Sequence, residues 1–404
     1  MRRSRMFVVA ALAGVLIAPL LAAPSVAAPR PAAPQPLLDQ RCTATRIATG
    51  DARGSAPGRL CVGRLSEAQA RAAGFRTGSA APADAGTQEI LPVPDHCDDR
   101  LYTWQYTRTN ACQYAWWQAR MFLDTALIGT LSFSEMSYVY TSTSVGGWTH
   151  QLELKYLSAT GSLVTGTRVH GWAECVVNCT IDTNDFPSQG ISLGSDVEAV
   201  GGFDTTVSAA GQVATGDTNM WYYLTHPAAT LPTQPVVVDT PAIRCDNATP
   251  GASYVGCVLP NVRPVHSILP AGSYAQHIRD AQASGLPGAP GGTPLTRMID
   301  AAKAAQNGRT ACPSTYVRPT GFSCDEYPYR STKEGAFTGG GPGRTFPWCQ
   351  IPQLGAGSGP RGYSSCMIPA TENSSGGGFL SGFYKSNRML DGDQFFVWVL
   401  PVTG

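Results

Sequence analysis

The chain has 404 residues, 43% of them hydrophobic and only 14% charged, with a formal net charge of +1. That length accommodates more than one domain with its own core. The near-neutral balance excludes a uniformly basic nucleic-acid coat and an acidic disordered chain, so any contact with a polyanion must come from local charge.

Arg2, Arg3 and Arg5 precede an apolar run from Met6 to Ala23 and the small residues Ser25-Val26-Ala27-Ala28. This order is that of a secretory signal peptide cleaved after Ala27 or Ala28, so 1–28 is expected to be removed and the protein secreted to the extracellular space. A membrane anchor is the competing reading, because the run approaches spanning length. The small-residue site and the Pro/Ala stretch behind it favour cleavage and no stable anchor. Residues 29–90 are rich in Ala, Pro and Gly and read as a linker or pro-region, with Cys42 and Cys61 stapling one small loop.

From 91 to 245 the pattern becomes strand-like, with segments at 101–107, 115–123, 131–141, 148–157, 163–172, 197–206 and 220–226 separated by Gly, Ser, Thr and Asn. In Gln151-Leu152-Glu153-Leu154-Lys155-Tyr156 the alternation is explicit, as a half-buried strand requires. Seven short strands with turn signals predict an all-β, sandwich-like domain. Its tryptophans and tyrosines (Trp104, Tyr106, Trp116, Trp117, Trp148, Trp172, Trp221) either fill that sandwich or present a glycan- or cell-surface-binding face.

Residues 246–261 form a Gly/Asn/Pro-rich junction, and the periodicity of 262–404 then turns helical. Ser273 starts a helix ended by Gly285. Thr293-Pro294 start a second, with Leu295, Met298, Ile299 and Ala302 as its apolar stripe and Asn307-Gly308 as its stop. A short helix carries Phe379 to Tyr384, and an apolar last strand, 394–400, is expected at the centre of a sheet. This part reads as α+β.

All twelve cysteines follow the apolar leader, and an even count in an exported chain implies disulfides. Pairing of sequence neighbours is expected: 42–61, 97–112, 175–179, 245–257, 312–324 and 349–366. Zinc is the competing use, but no CxxC or HxxxH spacing supports it.

The chemistry concentrates at 321–335. Asp325 and Glu326 are adjacent, Glu334 follows eight residues later, and three carboxylates so close repel unless a cation, an arginine or a proton relieves them. A hard divalent metal uses such oxygen ligands; a solvated acidic turn is the alternative. From residue 262 onward twelve lysines and arginines stand against eight acids, a surplus of four that suits a polyanion.

Asp325-Glu326-Tyr327-Pro328 with Glu334-Gly335 resembles the signature of the secreted, sporulation-type deoxyribonucleases of bacilli, the NucA/NucB family. Tyr274-Ala275-Gln276-His277-Ile278-Arg279-Asp280-Ala281 resembles the family's early helix, and Pro369-Ala370-Thr371-Glu372-Asn373 with Gly376-Gly377-Gly378 its later acidic/amide segment. The resemblance runs in order over 262–404. It implies a metal-dependent endonuclease acting on DNA with Mg or Mn, and it carries over catalytic roles to Asp325, Glu326, Glu334 and His277. Metal contacts would come from Asp325, Glu334 and Glu372, and substrate contacts from Asn373. The chain departs from the family by Ser323-Cys324 in place of Asp-Arg, Glu372 in place of Asp, and Ser374 in place of Arg. The phosphate contact is therefore expected from Arg330 or Arg361. For His277, a packed structural role competes with a catalytic one. A Cys312–Cys324 bridge would fix the backbone of the acidic pair. The competing functions are a non-catalytic secreted module that binds a glycan or cell surface, and an antibacterial toxin using the same chemistry.

Overall fold

Long alternating strands dominate the first two thirds of the chain. The computed structural model describes residues 30–31, 37–42, 58–74, 91–97 and 100–401; the expected signal peptide and much of the expected linker lie outside them. One antiparallel sheet runs β1 (Arg30–Pro31), β3 (Thr103–Tyr106), β4 (Asn110–Leu123), β5 (Ala126–Ser142), β6 (Val145–Gly161), β10 (Val197–Thr205), β8 (Cys179–Asp185), with β2 (Arg59–Arg64) on the far end of β4. The second runs β14 (Gly256–Val258), β13 (Ile243–Asp246), β11 (Val213–Thr225), β7 (Arg168–Val177), β9 (Gln189–Gly190), with β12 (Val236–Asp239) beside β11. The inner faces share one core, in which Trp117, Phe133, Leu152 and Phe203 of the first sheet meet Val169, Met220, Tyr222 and Ile243 of the second. The structure is mostly β, and this part is a β domain.

Three expectations change here. β2 and the helix Glu67–Ala72 lie inside the segment read as linker, because the apolar residues Leu60, Val62, Leu65 and Ala70 bury against neighbours. The second sheet also continues past 245: β14 pairs with β13 and Cys245–Cys257 staples the two, so the β part reaches Val258. The alternating segment of β6 is buried on both faces. Leu152 and Leu154 face the core, while on the other face Gln151 exchanges two hydrogen bonds with the Leu91 backbone and Glu153 accepts one from Tyr138.

The C-terminal part holds two small mixed sheets. In one, β20 (Gln394–Val399) lies centrally, parallel to β15 (Val265–Ile268) and antiparallel to β16 (Leu295–Thr296). In the other, β19 (Tyr363–Pro369) lies between β17 (Phe322–Tyr327) and β18 (Gly343–Arg344). The helices α1 (Ser273–Ala283) and α3 (Ala370–Ser386) pack Ile278, Ala281, Leu380 and Tyr384 against Tyr327, Ile368, Phe395 and Val397. The helix α2 (Ala301–Ala311) starts later than Thr293-Pro294 suggests. Leu295 is drawn into β16 opposite Phe395, and Asp300 caps α2 by accepting from the Lys303 amide at 3.0 Å. Asn307 does not stop the helix; it is buried and bonds the Arg330 and Thr332 carbonyls and the Phe337 and Thr338 amides. All six disulfides join sequence neighbours as expected.

Candidate active site

Successive side chains of a strand point to opposite faces, so Asp325 and Glu326 on β17 part company. Asp325 turns toward α1 and is buried. Its Oδ2 lies 2.6 Å from Nδ1 of His277, whose Nε2 is 2.9 Å from the Ser364 hydroxyl. A carboxylate only accepts, so Nδ1–H donates and the ring is held from both sides. Glu326 lies on the other face, 4.0 Å from Cys312 of the Cys312–Cys324 bridge. β17 is the outer strand of its sheet, and both acids line the pocket beside it, a space of about 660 Å³.

Another wall of that pocket is α3, which contributes Asn373, Gly377, Ser381 and Tyr384, residues spaced three or four apart and so on one helical face. Asn373 donates its amide to the Ser323 hydroxyl at 3.0 Å and to the Cys324 carbonyl at 3.1 Å, which ties α3 to β17 and leaves its amide oxygen without a protein donor among the described residues. The close approach of α1 depends on Gly376: a Cβ there would sit 2.5 Å from the Tyr274 ring.

Two arginines supply positive charge. Arg330 is exposed at the pocket rim. Arg297 has no counterpart among the residues singled out by sequence. Its guanidinium stacks 4.0 Å from the Tyr384 ring centre and donates through Nη1 to the Met298 and Ser331 carbonyls. Among the described residues its Nε has no protein partner, and burial lowers its pKa from the ordinary value. No local motif marks Arg297; the pairing of β16 with β20 brings it there.

Burial pushes the Glu326 carboxyl up to about 7, the negative charge of Asp325 adds to the effect, and Arg330 opposes it. The same charge and burial raise Tyr274 above its usual range. The site thus holds a buried, His-anchored carboxylate and a second acid that titrates near neutrality.

Four residues expected at the site lie outside the pocket. Glu334 accepts from the Thr296 backbone at 2.8 Å, and Glu372 accepts from the Ser273 and Tyr274 amides at 2.6 and 3.2 Å, capping α1. Neither lines the pocket; both carboxylates satisfy backbone donors that burial leaves needy. Arg361 is exposed away from the pocket, and its carbonyl accepts from Arg344. His277 is fully buried and does not line the pocket, its two ring nitrogens facing Asp325 and Ser364.

Residues 293–398 match the family described as Deoxyribonuclease NucA/NucB, which places a domain of that nuclease family in the C-terminal third. The match spans α2, β17, β19 and α3 but begins after α1, so the helix of His277 stands outside it. No curated protein and no solved structure matches the chain.

Proposed function

We propose that this chain is a secreted, divalent-metal-dependent endonuclease that hydrolyses phosphodiester bonds in DNA without sequence selectivity. Its layout would be an α+β nuclease domain behind an all-β domain. The observation that carries the reading is the pocket in which Asp325, Glu326 and the Asn373 amide face Arg297 and Arg330, inside the segment that matches the nuclease family.

The donor set suits a hard cation. One oxygen of Asp325 and the Asn373 amide oxygen are hard ligands on the pocket wall. Mg²⁺ and Mn²⁺ commonly bind through one or two carboxylates with water and substrate phosphate completing the shell. With Glu334 and Glu372 spent on backbone amides, the protein supplies few ligands, in keeping with such a water-rich site. When bound, the ion would neutralise phosphate charge and make its water more acidic.

The chain's own residues supply the rest. His277 and Ser364 fix the Asp325 carboxylate, which lowers the cost of orienting it at the moment of reaction. Arg297 and Arg330 offer charge-assisted hydrogen bonds to phosphate oxygens. Glu326, near neutrality in its proton balance, is suited to hold or release a proton beside the scissile bond. Water adds to phosphorus, the P–O bond to one sugar breaks, and the departing oxygen takes up a proton.

Secretion is supported by the leader-like sequence and by the six disulfides. Among the described residues no helix is long and apolar enough to cross a membrane. A glycan or cell-surface contact through the β domain is favoured by one feature. Trp172, 38% exposed, stacks on Trp221 at 5.7 Å beside the His170–Tyr223 stack, all on the outer face of β7 and β11; the other tryptophans of the sandwich, Trp104, Trp116, Trp117 and Trp148, are buried. Plasmid DNA and a structured RNA incubated with the purified protein, with Mg²⁺ or Mn²⁺ and with chelator, test the main reading. DNA cleavage abolished by chelator supports it; no cleavage under any metal favours the non-catalytic surface-binding alternative.

A further inference from the structure

The turn between α3 and β20 is gripped by the β domain. Arg388, fully buried, reaches out of this turn and forks onto Asp246 of β13, with Nε to Oδ2 at 3.0 Å and Nη2 to Oδ1 at 2.8 Å; it also donates to the Thr143 and Tyr254 carbonyls. In the other direction, Arg244 of β13 forks onto Asp393 at 2.7 and 2.8 Å. Arg108, from the β3–β4 connection, meets Asp393 at 2.8 Å and donates to the Asn387 carbonyl at 2.9 Å. The exchange is reciprocal: each side inserts arginine into the other's carboxylate.

Two independent features show that this contact is built in. Arg388 has φ 46°, the left-handed position that ends α3 and that glycine normally fills. An arginine there accepts backbone strain in return for its side chain. Across the interface, a Cβ on Gly256 would sit 2.7 Å from Nη1 of Arg388 and 2.2 Å from the Thr143 carbonyl, so only glycine leaves room for the guanidinium.

The grip leads into the pocket. The Asp393 carbonyl accepts from the Arg297 amide at 2.8 Å, the Gly392 amide donates to the Arg297 carbonyl at 2.9 Å, and Tyr384, four residues before Arg388, stacks on the Arg297 guanidinium. We infer that the β domain is an intramolecular brace whose Arg108, Arg244 and Asp246 position α3 and Arg297, so the C-terminal part holds its pocket only while docked. The catalytic meaning of that pocket rests on the function proposed above; the brace does not.

Arg388→Gly separates a brace from a mere helix cap, because glycine is the better residue for the left-handed position. In the full-length, disulfide-intact protein we expect it to lower the thermal midpoint by roughly 5 °C or more, and to speed amide exchange along α3 and at Arg297. Asp393→Asn, which keeps the side-chain shape, should act in the same direction more mildly. A midpoint that holds or rises in Arg388→Gly, as a better cap would give, overturns the brace. A lower midpoint with unchanged exchange along α3 and at Arg297 overturns its positioning role. Neither readout depends on DNA cleavage, so an inactive wild-type protein would refute the nuclease reading alone.

Discussion

Glu135 is a carboxyl group in the interior of the β sandwich, 3% exposed, with the Tyr222 hydroxyl donating to it at 2.7 Å. Burial is the main cause that pushes it from an ordinary 4.5 up to about 7; Asp239 adds to the rise, while Tyr222, Trp117 and Arg64 oppose it. A carboxyl whose pKa is raised in the fold binds its proton more tightly there than in the unfolded chain. Its contribution to stability is therefore full below about 4.5, is lost as pH climbs to about 7, and stays lost above that. The displacement corresponds to about 3 kcal/mol. Glu135→Gln keeps an acceptor for Tyr222 and removes the titration. Urea unfolding of both proteins at intervals from pH 5 to 8 measures the effect: the stability of wild type relative to Glu135→Gln should fall by about 2–3 kcal/mol across that window. His150 and His266, lowered by burial to about 3 and about 4, cost stability as pH falls below 6.5, but equally in both proteins, so they cancel. A difference that is flat with pH would refute the reasoning.

Arg297→Ala should raise KM for DNA by about 10- to 100-fold, the worth of a charge-assisted hydrogen bond to phosphate, and should flatten the dependence of binding on salt by about one counterion; steady-state kinetics at two ionic strengths read both. Gly376→Ala gains about 1 kcal/mol of helix propensity, yet drives a methyl group into Tyr274. Denaturation should show a net loss of about 1–2 kcal/mol, and a more stable variant would mean that α1 and α3 separate freely.

Much of the frame is legible in local pattern. Most strands from 101 to 226 announce themselves by alternation and turn residues, although β8 and β9 fall in none of the expected segments, and the disulfides close short loops between neighbours, which is why sequence proximity sufficed for them. Asp325 stands out because carboxylates are scarce and crowded there. What is hidden is long-range. Glu334 and Glu372 carry the same chemistry as Asp325, but each is claimed by amides 38 and 98–99 residues away, a demand no local window displays. Leu295 fits a helical stripe as well as a strand, and only Phe395 decides between them. Arg297 and Arg388 sit in no motif at all. Their importance comes from partners on distant elements; of the residues expected at the site, Asp325, Glu326, Asn373 and Arg330 line the pocket, and Arg297 joins them only through the tertiary fold.

The central claim is most directly tested by comparing wild type with Asp325→Asn in Mg²⁺- or Mn²⁺-dependent plasmid cleavage, with circular dichroism and thermal unfolding confirming that both are folded. Asparagine keeps the shape facing His277 but removes the charge that the reaction and the ion require. The account predicts that the wild-type protein cleaves, that chelator stops it, and that the folded variant is slower by about 10²-fold or more. A folded Asp325→Asn protein that cleaves at the wild-type rate would contradict it.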